Sequence, residues 1–140
     1  MQINFDDYIS ILIHHTDLTL TGFVKEKLLP FRLAPEQNLI MMLLWDKDGL
    51  HQNEIAEKLQ KDKTNITRMI CNLERKGFIY RVISEDRRAL RVYLTPMGKA
   101  LRCEVMPIME KFNQLVCQGI SAEEMKLLRR ILHKIANNLR

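Results

Sequence analysis

The chain has 140 residues, 46% of them hydrophobic, enough for one good core and consistent with a single domain over 1–140. No apolar run reaches the roughly 18 residues of a membrane span, and acids stand near the N-terminus where a secretory signal needs positive charge, so a cytoplasmic protein without a membrane partner is expected. The net charge of +5 is concentrated: nine basic and four acidic residues lie between 60 and 91, and nine minus four equals the whole excess. Positive charge gathered on one module is the footprint of a polyanion partner.

Residues 3–29 carry a broad helical apolar stripe through Phe5, Tyr8, Ile9, Leu12, Leu20, Phe23, Val24 and Leu28, and Pro30 ends it. Pro35, near a first turn, opens a second helix that runs to about Asp46 through Leu39, Ile40, Met41, Met42, Leu43, Leu44 and Trp45. Asp48-Gly49 is a turn, and Leu50-His51 can supply a short strand. From about Gln52 to Leu59 a helix buries Ile55, Ala56 and Leu59.

The next helix is bounded by Asp62 as N-cap and Gly77 as the residue past its end. Ile66, Met69, Ile70 and Leu73 form its inner face, while Thr64, Arg68, Cys71 and Arg75 fall opposite, flanked by Asn65 and Thr67. Such a face suits the major groove: short hydrogen-bonding side chains for base edges, arginine for guanine or phosphate.

Two strands follow. Phe78, Tyr80 and Val82 alternate with Ile79 and Arg81, and Leu90, Val92 and Leu94 alternate with Arg91 and Tyr93. The polar tip between them, Ser84-Glu85-Asp86-Arg87-Arg88, can carry an arginine into a minor groove. Thr95-Pro96 is an N-cap followed by a first-turn proline, and Leu101, Val105, Ile108, Phe112 and Leu115 recur at helical spacing. Ser121-Ala122-Glu123-Glu124 is a capping box, and Met125, Leu128, Leu132, Ile135 and Leu139 continue the pattern. The terminal helices have more apolar face than a wing domain of roughly 65 residues can cover, so a partner subunit is expected.

EIAEKL, DKTNITRMICNLERKGFI, SEDRRA and VYLTPMGKAL, in this order and at these separations, resemble the multiple antibiotic resistance regulator (MarR) family of bacterial transcription factors. DRRALRVYLTPMGKAL is the most specific part. The resemblance implies a mainly α fold with a small β-wing (α+β): a winged helix-turn-helix over 34–95, with 1–30 and 96–140 as dimerisation helices. It implies a homodimeric repressor of a pseudo-palindromic operator in double-stranded DNA, released by a small phenolic or aromatic effector. Base contacts are implied for Thr64, Asn65, Thr67 and Arg68, with a minor-groove contact from Arg88 steadied by Asp86. Lys61, Lys63, Arg75 and Arg87 supply further positive charge to the expected DNA face. One departure stands out: Gln60 and Lys61 occupy the turn where the family usually has a glycine and then an apolar residue. A looser or differently bonded turn is expected, with Lys61 turned to phosphate.

The remaining candidates carry two readings each. His14 and His15 are adjacent, about 100° apart on a helix; each is either an ordinary exposed or subunit-contact residue or a polar anchor in an effector pocket. Met41, Met42 and Trp45 either line that pocket or are plain core, and Arg32 either pairs with a ligand carboxylate or is exposed. Cys71 is a small filler near DNA or, in a thiol-based redox-sensing reading, the group whose oxidation breaks the contact. A further rival is a winged-helix module whose basic face meets an acidic protein. Three widely spaced cysteines, Cys71, Cys103 and Cys117, argue against a disulfide scaffold or zinc knuckle. The chain has no HExxH, GxSxG or phosphate-loop motif, so neither an enzyme nor a cofactor is expected.

Overall fold

Near the N-terminus, Asn4 Oδ1 accepts from Asp6 N at 3.2 Å and closes a 3-10 turn over Phe5–Asp7. Tyr8 is extended, so helix α1 runs Ile9–Leu28 and starts later than the apolar stripe suggests. The computed structural model describes residues 1–83, 85 and 90–140. They fall into two compact units, Met1–Met106 and Pro107–Arg140.

In the first unit, α1 passes into a 3-10 turn, Leu29–Phe31, and then Arg32, whose φ of 58° lies in the left-handed region. Helix α2, Pro35–Asp46, starts with its proline where no N–H is needed, and Ala34 N donates to Gln37 Oε1 at 3.2 Å. Ile40, Met41, Leu44 and Trp45 on α2 meet Val24 and Leu28 of α1 in the buried set. Helices α3, Gln52–Leu59, and α4, Lys63–Arg75, form the helix-turn-helix. From α4, Ile66, Met69, Ile70 and Leu73 are all buried, each worth about 1.5–3 kcal/mol of apolar transfer.

The wing is a three-stranded antiparallel sheet of order β1-β3-β2, with β1 Leu50–His51, β2 Ile79–Ile83 and β3 Leu90–Leu94. Register pairs Ile79 with Leu94 and Arg81 with Val92, and Leu50 with Val92 on the other side. One face therefore carries Ile79, Leu94, Val92 and Leu50, all buried, together with Arg81. The other carries Tyr80 and Tyr93, whose rings stack at 5.5 Å. Of the alternating set that begins at Phe78, only Phe78 is buried; Tyr80 and Val82 face outward.

Helix α5, Pro96–Val116, begins where Thr95 Oγ1 accepts from Gly98 N at 3.1 Å. Gly98 O takes the Trp45 indole N–H at 2.9 Å, and Arg102 donates to Trp45 O at 2.9 Å. A Cβ at Gly98 would fall on the carbonyl oxygen of Phe78, so only glycine fits this crossing. Pro107 lies inside α5 and removes one N–H from its ladder; the division between the units falls there.

The second unit holds the rest of α5 and α6, Ala122–Asn137, which opens with the Ser121–Glu124 capping box: Glu124 N donates to Ser121 Oγ at 3.0 Å and Ser121 N to Glu124 Oε1 at 2.9 Å. Leu127, Leu128, Ile131 and Leu132 on α6 are exposed. No helix among the described residues is long and apolar enough to cross a membrane.

Candidate nucleic-acid interface

The turn between α3 and α4 sets the angle of α4. Gln60 takes the left-handed conformation, φ 52° and ψ 43°, and Lys61 N reaches back to Ala56 O at 3.1 Å. Of the looser or differently bonded turn expected from sequence, the structure has a hydrogen-bonded one in which a non-glycine residue accepts the left-handed strain. Lys61 also has a partner within the chain. Its ammonium meets Glu36 Oε1 at 2.8 Å, tying α2 to this turn, and that carboxylate holds Lys61 above its ordinary pKa.

Helix α4 is fixed at both ends. Asp62 Oδ1 accepts from Asn65 N at 2.8 Å. After Arg75, Gly77 N bonds Glu74 O at 3.0 Å and Phe78 N bonds Leu73 O at 3.1 Å, with Gly77 at φ 85°. This is a Schellman closure, and the left-handed φ accounts for the glycine.

On the outer face, Lys63, Thr64 and Arg68 are exposed and Asn65 is half-buried. Arg68 Nη2 donates to Asn65 Oδ1 at 2.7 Å, so the guanidinium is held one helical turn along from the amide. Thr67 is committed more deeply: its hydroxyl donates to Lys63 O at 2.8 Å and accepts from Gln52 Nε2 at 2.7 Å. Arg75 is exposed on the same face, seven residues and thus about 10 Å beyond Arg68. Asp86, Arg87 and Arg88 lie outside the described residues.

Two contacts join this helix to its surroundings. Arg81 of β2 donates from Nη2 to Glu74 Oε1 at 3.0 Å, and this bond keeps the Glu74 carboxyl below its ordinary value. Arg81 also lies against the Cys71 thiol, which is half-buried beside the wing as well as on the face that carries Arg68. Lys76, the last residue of the α4 turn, donates to Arg32 O at 2.5 Å and to Gln37 Oε1 at 2.8 Å. Burial, then the Arg32 charge, pushes the Lys76 ammonium below its ordinary pKa.

A cleft of about 280 Å³ opens at that corner, lined by Lys25, Arg32 and Lys76 over Leu29, Leu33 and Pro35. Of the six residues considered for an effector pocket, only Arg32 lines it. His14 and His15 are exposed on α1 with ring centroids 6.2 Å apart, Met41 and Trp45 are core, and Met42 is half-buried with its sulfur 3.5 Å from Asn38 Nδ2. Gln52, Glu74, Lys76 and Lys25 were not singled out by sequence pattern. The first three have partners seven to 44 residues away, which periodicity does not register, and Lys25 enters only as a wall of the cleft.

The MarR family profile matches residues 33–90. The uncharacterized HTH-type transcriptional regulator YybA of Bacillus subtilis (strain 168) is 26% identical over 112 residues, 76% of this chain and 72% of that protein. YdgJ from the same organism, also an HTH-type regulator, is 31% identical over 101 residues, 71% of this chain and 62% of its own length. Against this second relative the chain spans a little under two thirds. Among solved structures, the S. aureus MepR–DNA complex superposes with a TM-score of 0.88 at 27% identity, covering 96% of this chain and 99% of that one. The transcriptional regulator SlyA does so with 0.84 at 27%, covering 94% and 93%. The chain is similar to the MarR family over residues 33–90, carries the winged helix-turn-helix fold of these regulators, and is a DNA-binding transcriptional regulator rather than an enzyme.

Proposed function

We propose that the protein is a cytoplasmic homodimeric repressor that occupies a pseudo-palindromic operator and leaves it when a small aromatic or phenolic effector binds. The carrying observation is the exposed Lys63, Thr64 and Arg68 face of α4, with Arg68 already held by Asn65. Side chains ordered before contact lose less rotamer freedom on binding. In this reading 34–95 contact DNA and 1–30 with 96–140 form the dimer.

Support for a second subunit comes from apolar exposure. Ile9, Leu12, Ile13 and Phe23, on one side of α1, are 36–57% exposed, and α6 adds its own row. Apolar surface arranged in rows on two helices marks an interface, and a twofold partner would set two α4 helices about one duplex turn apart. The Lys25–Arg32–Lys76 cleft supports an effector with a negative charge and an apolar body, since among the described residues none of the three cations pairs with a carboxylate. Sedimentation of the protein with a selected duplex tests the assembly: two chains per duplex are expected, and one chain on a single half-site would contradict it.

A further inference from the structure

Thr67 presents chemistry different from that of its neighbours on the reading helix. Its hydroxyl hydrogen is spent on Lys63 O at 2.8 Å, one turn back along α4. Because the hydroxyl donates there, the bond to Gln52 at 2.7 Å requires the Gln52 amide to donate and Thr67 Oγ1 to accept. Gln52 is the first residue of α3, so the contact spans the two helices of the reading unit. Gln52 Oε1 is buried and has no partner among the described residues; the amide is oriented by Thr67.

A threonine whose hydroxyl proton is committed cannot donate to guanine O6 or N7, to adenine N7 or to thymine O4. What the side chain has left is its γ-methyl and one lone pair of Oγ1, which can accept a hydrogen bond but not donate one. In the major groove the matching feature is the C5-methyl of thymine, which marks that base apart from cytosine and is read by apolar contact.

We infer that Thr67 is a specificity-determining residue that reads a thymine methyl through its own γ-methyl, with Gln52 as the positioning residue that holds the hydroxyl turned away. The inference rests on the DNA-binding reading of α4. Thr64, exposed and with no such pair of bonds among the described residues, remains available for hydrogen bonding, so the two threonines read different features.

The test uses the full chain and a duplex enriched by it from a random library. Each thymine is replaced in turn by deoxyuridine, which removes only the C5-methyl. One thymine per half-site is expected to weaken binding about fourfold when replaced, the value of one buried methyl group. Thr67→Val, which keeps the methyl and discards the hydroxyl, should still distinguish thymine from uracil at that position; Thr67→Ser should bind both alike. Gln52→Ala should shrink the thymine–uracil ratio while the melting temperature, measured in parallel, reports any loss of fold. A thymine–uracil ratio of one at every position, or a ratio kept in Thr67→Ser, would overturn the inference and leave the regulator reading intact. Failure to enrich any duplex would overturn both.

Discussion

Arg81 Nη2 lies 3.0 Å from Glu74 Oε1, so the first long strand of the wing is tied to the last turn of the reading helix. The register puts Arg81 on the inner sheet face opposite Val92, and from there its guanidinium reaches α4. Wing and helix are thereby braced as one piece, which matters if both are to meet DNA in a fixed geometry. The pair is partly exposed, so Glu74→Gln is expected to cost only about 0.5–1 kcal/mol at pH 7 by chemical denaturation.

The same pair carries a pH signature. Arg81 lowers the Glu74 pKa from 4.5, so this contribution is present above 4.5 and is lost as pH falls through the depressed value. Denaturation curves of wild type and Glu74→Gln should therefore converge on acidification. A stability difference unchanged down to about pH 2 would show that the carboxylate charge is not what counts.

Gln60 takes a left-handed conformation that glycine adopts without strain. Gln60→Gly is expected to stabilise the protein by about 1 kcal/mol, the relief at φ 52° outweighing the added freedom of the unfolded chain. Thermal unfolding that shifts downward instead would mean that the glutamine side chain contributes more than its backbone costs.

Gly98 makes the opposite case. Its Cβ would meet the Phe78 carbonyl, while its own carbonyl holds Trp45 at 2.9 Å, so backbone must move on two sides. Gly98→Ala should cost about 1–3 kcal/mol and shift Trp45 fluorescence. An unchanged emission spectrum with full stability would contradict this packing.

Arg68 and Lys63 should separate base reading from charge. Arg68→Ala is expected to lose about 1–3 kcal/mol on a selected duplex and far less on a shuffled one. Lys63→Ala should weaken both duplexes alike and lower the salt slope by roughly one. Competition titrations at several salt concentrations read both effects; equal losses for Arg68→Ala on the two duplexes would remove it from the base-reading set.

Much of the fold was legible because its signals are local. Helical spacing marked Ile66, Met69, Ile70 and Leu73 as the inner face of α4, and Asp62, Gly77, Thr95 and Ser121 marked ends through the bonds their own side chains or φ values make. The family resemblance added the candidate base contacts. What local pattern does not hold is long-range pairing. The alternation beginning at Phe78 does not reveal that Ile79 and Arg81 share the inner face, because facing depends on register with β3. Gln52 meets Thr67 across fifteen positions, and Lys76 meets Gln37 across 39. Lys61 meets Glu36 of α2 at 2.8 Å across 25 positions.

Fluorescence anisotropy of the purified protein against a duplex from upstream of its own gene, with a shuffled duplex of equal length and several salt concentrations, tests the central claim most directly. Selective binding to the upstream duplex that weakens steeply with added salt is expected if α4 reads bases while the surrounding lysines and arginines release counterions. Equal affinity for both duplexes would contradict sequence reading by α4, and no binding at low salt would contradict a DNA-directed role for this basic face.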